Sequence, residues 1–474
     1  MNYLRPVSQI TLAAFLLVVS GTPSRAGNAR SQRPNVVFLY ADDLGYGDLA
    51  CYDSPVAQTP RLDRLARDGT RFMQFYVSNC VCSPTRASAI TGHFPSRHRI
   101  FSHIAFFEMN RERNMPDWLD VTAPSLPRGL QRAGYRTAMI GKWHLGGGSG
   151  RKWRSDRVVI NHPDAPAVSR YGFDHVRATF GNSPTWKDAK PWPEPHEIYP
   201  YADDGWTTWS SRAIADETIG FLRNHARGES GRTPFYVNVW FKDVHVPLKP
   251  TDEMRKQFSK LDEKPQIHYA MVRYMDKQIG RILDTLDELG LRDNTLVVFS
   301  SDNGAGRNRG GSNGPLREWK HYLYEGGIRV PLIVRWPGHV PAERVDDRSV
   351  LNIVDLIPTL CRICGAEMPD GYKPDGEDIA EAFQGREFKR QKPQFWHYPM
   401  ASGGTPTLAI RDGRWKLLTD PNGKRMELYN LSSDIGESNN LAAKRPDVVE
   451  TLKRNLFAWY REMDLESVQP SGSN

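Results

Sequence analysis

Short apolar runs recur at intervals along the first three quarters of the chain. They are rich in β-branched and aromatic residues and span Asn35–Tyr40, Tyr135–Ile140, Pro234–Phe241 and Thr295–Ser300. Apolar and polar residues do not alternate within them, which predicts strands that are buried on both faces. Such strands are typical of a largely parallel sheet that is covered by helices.

Segments with a helical period lie between these runs. Helices are predicted at Pro60–Asp68, Pro124–Ala133 and Gln266–Leu289. The alternation of strand and helix predicts an α/β fold, with a large mixed, mostly parallel sheet sandwiched by helices. The segment Pro163–Tyr201 is rich in Pro and Trp and poor in periodicity, so we interpret it as a long functional loop.

The pattern changes after about Asp375. Four short strands are predicted, at Gln394–Tyr398, Thr407–Arg411, Arg414–Leu418 and Met426–Leu431. Asp412-Gly413 is a hairpin turn signal between the middle two strands. A final helix, about Pro446–Arg461, is expected to pack on this smaller C-terminal antiparallel sheet. We therefore expect an N-terminal domain at 27–374 and a small α+β subdomain at 375–474.

The N-terminus has the pattern of a signal peptide. Arg5 precedes an apolar run at Ile10–Val19, and small residues follow up to Ala26. The run is shorter than the roughly 20 residues that a spanning helix needs, so we expect no stable membrane span. Residues 1–26 are predicted to be removed from a secreted or periplasmic protein; an uncleaved membrane anchor is the alternative.

Composition narrows the range of partners. With 39% hydrophobic residues the chain can bury a sizeable core, and its formal charge of +8 suits a polyanion. The sequence has no Lys/Arg-rich run of about five to eight residues, so nucleic acid is not the expected partner. Sulfated glycans are another polyanionic class.

The five cysteines are too few for a dense disulfide framework. Cys361 and Cys364 have the CxxC spacing, but they follow an apolar helical stretch and have no second CxxC or His pair nearby. A local disulfide or two packed thiols fit this context better than a zinc or redox site.

Polar side chains follow several of the predicted strands. Asp42-Asp43 follows the first strand, and Asp302-Asn303 follows the run that ends at Ser300. Open α/β sheets bind ligands at the carboxyl ends of their strands, and a hard cation relieves the repulsion between adjacent carboxylates. Each pair taken alone is also compatible with an ordinary turn or helix cap.

Basic residues occupy similar positions. Lys142 and His144 follow a third strand and lie two residues apart, so that they can share a face of an extended segment. His245 follows a fourth strand, and Lys320 precedes the segment Glu325–Pro331. Any one of them could be a solvated cation or a hydrogen-bonded histidine, but their joint placement favours a single polar pocket.

The most specific motif is Cys82-Ser-Pro84-Thr-Arg86, followed by Ala87-Ser-Ala-Ile-Thr-Gly92. A cysteine that opens a helical run could be an activated thiolate or a plain buried thiol. The C-x-P-x-R pattern, however, closely resembles the signature of the type I sulfatases of the alkaline phosphatase superfamily. Pro34–Gly47, Gly-Lys-Trp-His, Ser-Asp-Asn-Gly, Lys320–Pro331 and Glu437–Leu441 also resemble this family, most closely its arylsulfatase and glycosaminoglycan sulfatase group.

The resemblance implies a function and a role for each site residue. Cys82 would be oxidised to formylglycine (3-oxoalanine) by a formylglycine-generating or equivalent maturation enzyme. One Ca²⁺ would be bound by Asp42, Asp43, Asp302, Asn303 and the modified Cys82. Arg86 would hold the formylglycine, Lys142 and Lys320 the sulfate, and His144 and His245 would transfer protons, with His245 also contacting substrate.

The expected activity is hydrolysis of a sulfate ester, with a sulfated carbohydrate as the expected substrate. The aldehyde at position 82 would hydrate to a diol, and a hydroxyl of lowered pKa would attack sulfur. A phosphonate or phosphate ester hydrolase of the same superfamily is one alternative. A non-catalytic glycan-binding relative that uses Trp186, Trp192, Trp206 and Trp209 is another, but such a protein has no need of the intact catalytic set.

Overall fold

The helices and strands described here belong to Arg33–Asn474, which is one of the two units into which the chain divides; the other is Met1–Gln32. The computed structural model describes Met1 and residues 33–105, 107–146, 164–179, 205–228, 233–401 and 404–467. The predicted signal peptide beyond Met1, and Trp186 and Trp192, lie outside the described residues.

Nine strands of the described residues form the larger sheet. They are β1 (Asn35–Ala41), β2 (Thr70–Tyr76), β3 (Arg136–Lys142), β4 (His175–Thr179), β5 (Phe235–Trp240), β6 (Thr295–Ser301), β7 (Arg329–Arg335), β8 (Arg344–Asp346) and β9 (Leu351–Asn352). Their order is β4-β3-β5-β1-β6-β7-β2-β8, with β9 also paired to β2. Within this sheet β7 pairs antiparallel with β6 and β2, and the other pairs are parallel. The predicted mixed, mostly parallel sheet is confirmed.

Helices cover both faces of this sheet. Those of the described residues are α1 (Pro60–Arg67), α2 (Cys82–Thr91), α3 (Phe107–Glu112), α4 (Leu126–Arg132), α5 (Gly205–Arg227), α6 (Asp252–Lys256), α7 (Glu263–Glu288), α8 (Glu325–Ile328), α9 (Leu356–Cys364), α10 (Ala380–Phe383) and α11 (Pro446–Glu462). Leu62 of α1, Leu222 of α5 and Ile279 of α7 pack in one core with Val37 and Leu39.

The opposite face of the sheet carries the second core. Phe38 and Tyr40, which alternate with Val37 and Leu39 along β1, pack there with Ile90 of α2 and Leu130 of α4. All seven residues of β1 are buried, which explains why its sequence is continuously apolar apart from its first residue. Burial of each large apolar side chain contributes about 1.5–3 kcal/mol to folding.

The smaller sheet is antiparallel, as predicted. It contains β10 (Gln394–His397), β11 (Leu408–Asp412), β12 (Trp415–Thr419) and β13 (Met426–Asn430) in sequential order. Leu456 of α11 packs in the same core as Leu417 and Leu428 of this sheet. The indole Nε1 of Trp396 donates a hydrogen bond to Val77 O at 2.7 Å, which joins the sheet to the segment after β2.

Three buried ionisable side chains connect the smaller sheet to the segment before β7. The Lys416 Nζ atom lies 2.9 Å from Glu325 Oε1 and 2.9 Å from Glu437 Oε1. Glu437 Oε2 accepts from the backbone N–H of Glu325 at 2.6 Å, and Tyr76 donates to Glu325 Oε2 at 2.5 Å. None of the three charged side chains is exposed to solvent. Glu437 therefore helps to hold in place the segment that follows Lys320.

The sequence predicts a loop over Pro163–Tyr201, but the structure places β4 within this segment, paired in parallel with β3. All five cysteines are free thiols, so Cys361 and Cys364 are not joined by a disulfide.

Among the described helices, none combines the length and apolar character needed to cross a bilayer. The domain boundary at 374/375 stays a prediction.

Candidate active site

Four adjacent strands end at the candidate site. In sheet order they are β3, β5, β1 and β6. The predicted site residues that end or follow these strands are Asp42, Asp43, Lys142, His144, His245, Asp302 and Asn303. Backbone hydrogen bonds continue past the strand ends: Asp42 N donates to Asp243 O at 3.0 Å, and Asp302 N donates to Ala41 O at 3.1 Å. These hydrogen bonds fix the backbone of the segments that hold the polar side chains relative to the sheet.

The acidic residues from β1 and β6 meet at this edge. Asp42 and Asp302 are fully buried, and Asp43 is 7% exposed. Asp43 has a φ of 60°, a left-handed conformation that Asp tolerates better than most residues. Its N–H donates to Asp302 Oδ1 at 3.2 Å, and Asn303 Nδ2 donates to Asp43 Oδ1 at 2.7 Å.

Each buried carboxylate has a cationic neighbour. Lys142 Nζ contacts Asp42 Oδ2, and Lys320 Nζ lies 2.5 Å from Asp43 Oδ1. Arg86 Nη2 lies 2.8 Å from Asp302 Oδ2.

Arg86 is held on several sides. Its Nη1 donates to Lys142 O at 2.6 Å, and its guanidinium lies 5.5 Å from the ring centre of Tyr40 and 5.2 Å from that of Trp240. These two aromatic neighbours were not identified from the sequence, where they stand as ordinary apolar strand residues. Together with Asp302 they fix the guanidinium in one orientation.

These contacts shift the pKa values of the acids in opposite directions. Burial alone would raise the pKa of Asp43, but the charges of Lys320 and His245 outweigh it, so the pKa lies well below its ordinary value. Burial and the neighbouring Asp42 raise the pKa of Asp302 to about 6, against the opposing charge of Arg86. Burial lowers the pKa of Lys320, but Asp43 more than compensates and keeps this lysine protonated.

The two histidines are held as neutral bases. Burial, and then the charge of Lys142, lowers the pKa of His144 well below its ordinary value. Burial lowers the pKa of His245 to about 4, although Asp43 opposes the shift. His245 Nδ1 lies 2.6 Å from Val246 O, which requires Nδ1 to carry the proton. The Nε2 atom, 3.7 Å from Asp43 Oδ2, is then the one with a lone pair.

Cys82 is the first residue of α2 and is 2% exposed. Burial raises the pKa of its thiol, although the charges of Lys142 and Lys320 oppose this. A thiol with a raised pKa is a poor thiolate nucleophile, so the geometry does not favour the plain activated cysteine left open by the sequence. Its neighbour Ser83 donates to His144 O at 2.7 Å, which fixes the start of α2 against the histidine segment.

The segment that carries Lys320 is packed directly on the Asn303 segment. Lys320 N donates to Ala305 O at 3.0 Å, and Gly304 N donates to Gly327 O at 3.1 Å. A Cβ atom at Gly304 would lie 1.8 Å from Gly326 O, so this contact between backbones requires glycine. This packing explains how a lysine that follows no strand reaches the same pocket.

The residues present fit a hard divalent cation. Ligand atoms of Asp42, Asp43 and His245 all lie within 4.8 Å of one another. Asp42 Oδ1 and Asn303 Oδ1 are buried and have no hydrogen-bond partner among the described residues. Since such oxygen atoms are costly to bury unpaired, they favour a cation with oxygen ligands. The sequence predicts His245 in the same pocket, as a proton-transfer residue, but not as a possible ligand beside the two aspartates.

The charge balance supports the same conclusion. The three carboxylates carry as many charges as their three cationic neighbours Arg86, Lys142 and Lys320. A bound divalent cation would therefore give this group of side chains a net charge of about +2, which is complementary to an anionic ester.

Comparison with known proteins identifies the family. Residues 34–366 match the Sulfatase family, and residues 318–462 match the C-terminal region of the N-sulphoglucosamine sulphohydrolase family. The chain belongs to the sulfatase family. It is a sulfuric ester hydrolase of the alkaline phosphatase superfamily.

Related sulfatases match nearly all of the chain. An N-acetylgalactosamine-6-O-sulfatase of Bacteroides thetaiotaomicron is 28% identical over 90% of this chain and 93% of its own. The N-acetylgalactosamine-6-sulfatase of Canis lupus familiaris is 31% identical over 87% of this chain and 76% of its own. The crystal structure of Ps i-CgsB has a TM-score of 0.75 and 25% identity, and the match covers 93% of this chain and 94% of that one.

The structure thus brings most of the predicted site residues of this sulfatase together. Asp42, Asp43, Asp302 and Asn303 share contacts with Arg86, Lys142, His245 and Lys320, and Cys82 lies close enough to interact electrostatically with both lysines. Of the four tryptophans suggested for sugar stacking, Trp209 packs edge-to-face on Tyr274 at 5.5 Å. Trp209 is partly buried and packs against the core.

Proposed function

We propose that this sulfatase hydrolyses a sulfate ester of a sulfated carbohydrate, using a formylglycine made from Cys82 and one bound Ca²⁺. The observation that carries the proposal is the convergence of three buried carboxylates and three cations beside residue 82. A carboxylate-rich site with an amide oxygen is typical of calcium, which prefers oxygen ligands.

The side chains of Asp42, Asp43, Asp302 and Asn303 would hold the ion together with the modified residue 82. When bound, Ca²⁺ neutralises charge on the sulfate and lowers the pKa of a hydroxyl on the hydrated aldehyde. Arg86, fixed by Asp302, would orient residue 82 and contribute positive charge.

The remaining polar residues have distinct proposed roles. Lys142 and Lys320 would contact the sulfate oxygens and stabilise the negative charge of the transition state. His245, next to Lys320 and Asp43, would protonate the departing alcohol, and His144 would accept a proton from residue 82. An imidazole that burial keeps neutral suits the role of His144 as a proton acceptor. To donate a proton, His245 would have to carry one on Nε2 as well, which the nearby Asp43 carboxylate favours.

The substrate class is inferred from relatives and from charge. Two relatives are named for the 6-sulfate of N-acetylgalactosamine, and Ps i-CgsB was also solved in complex with k-i-k-neocarrahexaose. The formal charge of +8 suits a polyanionic sugar. We also propose that residues 1–26 direct export to the periplasm or the exterior, that residues 27–374 are the catalytic domain, and that a maturation enzyme oxidises Cys82.

A sulfate-release assay tests the proposal. Purified protein should release sulfate from N-acetylgalactosamine 6-sulfate or from another sulfated sugar in a defined panel. The Cys82→Ala variant should be inactive, whereas Lys260→Gln, at an exposed position, should retain the wild-type rate.

The same assay separates the proposal from its alternatives. A higher rate on phosphate or phosphonate esters than on sulfate esters would favour the phosphonate hydrolase alternative. Binding of the sugars without turnover by the matured protein would favour a glycan-binding relative.

A further inference from the structure

A second group of polar side chains lies beside the candidate active site. We call it the rim cluster; it consists of His103, Arg113, His321 and Tyr398. None of them belongs to the proposed catalytic or metal-binding set. They come from three separate parts of the chain, and His321 is exposed to solvent.

Backbone contacts place the rim cluster directly against the catalytic residues. Ile104 N donates to Ser83 Oγ at 3.0 Å, and Ser83 Oγ donates to His144 O. His321 follows Lys320 and donates its N–H to Cys80 O at 3.1 Å. The segments on both sides of Cys82 therefore contact His321 and Ile104, the residue next to His103.

Side-chain contacts connect the cluster internally. Arg113 Nη1 lies 3.1 Å from His103 O, to which it donates, and 3.4 Å from His103 Nε2. His321 Nδ1 lies 2.8 Å from the Tyr398 hydroxyl. Arg113 and Tyr398 also interact electrostatically, as do His103 and His321.

Arg113 is partly buried, and among the residues that the structure describes no carboxylate forms an ion pair with it. By contrast, Arg86 in the neighbouring site is bound by Asp302. A guanidinium that is partly removed from water and has no counterion is suited to receive an anion.

The surrounding charge is positive as well. Burial, and then the charges of Arg113, Lys320, His321 and Lys142, lowers the pKa of His103 to about 3. His103 is therefore close enough to Arg113 and to the two lysines proposed to hold sulfate for all three charges to act on it. Positive charge thus extends from the pocket to Arg113, although the carboxylates of Asp43 and Glu112 act electrostatically on His321 and Arg113, respectively.

We propose that the rim cluster, with Arg113 as its cation, binds a second anionic group of the substrate, either a carboxylate or a second sulfate on the same or the adjoining sugar. The inference rests on the proposed function. It defines the substrate as a sugar that carries at least two anionic groups. Arg113 would supply charge and a forked donor, and the His103 and Tyr398 side chains would supply polar contacts.

The test compares sugars with one and with two anionic groups as inhibitors of 4-nitrophenyl sulfate hydrolysis. The probes are N-acetylgalactosamine 6-sulfate, its 4,6-disulfate, and the disaccharide that joins glucuronic acid to the 6-sulfate. The wild type should bind at least one of the two dianionic sugars about tenfold more tightly than the monosulfate, as a charge-assisted hydrogen bond would provide. The sugar that gains affinity identifies the second group as sulfate or carboxylate.

Arg113→Gln should remove this preference and leave the inhibition constant of the monosulfate unchanged. Arg113→Lys should retain part of the preference for the dianionic sugar, because lysine keeps the positive charge but lacks the paired donors of the guanidinium. Arg111→Gln is the matched control: it removes the same charge from an exposed position two residues away on α3. His103→Gln provides a second variant if Arg113→Gln does not fold.

Equal affinity for all three sugars in the wild type would overturn the inference while leaving the proposed function intact. So would an equal loss for the monosulfate and the dianionic sugars in Arg113→Gln. If the matured wild type hydrolyses no sulfate ester, the proposed function fails and this inference fails with it.

Discussion

Lys416 offers the sharpest test of how the smaller sheet is held. Its ammonium lies 2.9 Å from a carboxylate oxygen of both Glu325 and Glu437, and none of the three side chains is exposed. Lys416→Met retains a long apolar side chain but removes the positive charge. The substitution leaves two buried acids facing each other without the cation between them.

Removing one partner of a buried ion pair costs about 3–5 kcal/mol, because an uncompensated charge stays in the interior. The loss should depend on pH. Burial raises the pKa of Glu437 to about 7, with Lys416 opposing the shift and Glu325 adding to it. Without Lys416 this pKa should rise further. An acid whose folded pKa is raised loses stability as pH rises from its unfolded value of 4.5 through the folded value, so the loss should be larger at pH 8 than at pH 5.5.

Urea unfolding at the two pH values measures the effect. Lys416→Met should be less stable than the wild type by about 3–5 kcal/mol at pH 8. Lys416→Met with Glu437→Gln should recover part of the loss, since the glutamine carries no charge. Lys424→Met, at an exposed turn between β12 and β13, should stay within about 0.5 kcal/mol of the wild type. A loss below about 1 kcal/mol, or one with no pH dependence, would refute this account of the cluster.

Three further predictions concern the candidate site and the core. Arg86→Met leaves Asp302 without its guanidinium and should lower stability by about 3–5 kcal/mol, measured by thermal unfolding; an unchanged melting temperature would contradict the role of the ion pair. Burial lowers the pKa of His397 to about 3, so the folded protein disfavours its protonation, and stability should fall as pH drops below about 6.5. His397→Phe should reduce that slope by up to about 1.4 kcal/mol per pH unit between pH 6 and 4, and an unchanged slope would argue against a buried neutral imidazole. Chelation of divalent ions should lower the melting temperature and stop turnover, with recovery on Ca²⁺ addition and weaker recovery in Asp302→Asn; insensitivity to chelation would exclude a resident ion.

The main sheet and the candidate active site could be predicted from the sequence, because each strand and the polar residues after it form a short continuous pattern. β1, β3, β5 and β6 are buried on both faces and therefore read as apolar runs, and the polar residues directly after them fall at one sheet edge. The sequence does not predict the short edge strand β4, because three of its five residues, His-Val-Arg-Ala-Thr, are polar. Such edge strands carry little of the apolar signal on which a strand prediction depends.

Contacts between distant parts of the chain were not predictable in the same way. The motifs at Glu325 and Glu437 could be recognised, but nothing in either one indicates that Lys416 lies between them. Arg113 directly follows α3, a short helix with no distinctive pattern. It stands out only through its position beside His103 and because no described carboxylate forms an ion pair with it. The raised pKa of the Cys82 thiol was not predictable from the sequence either, because burial in the fold is its main cause.

The central claim is that residue 82 reacts as an aldehyde beside a bound ion. Mass spectrometry of the peptide that contains residue 82 tests it most directly, on preparations made with graded amounts of a formylglycine-generating enzyme and assayed in parallel for sulfate release. The rate should rise in proportion to the fraction of chains that carry the aldehyde. Full hydrolytic activity in preparations that retain an intact Cys82 thiol would contradict the claim.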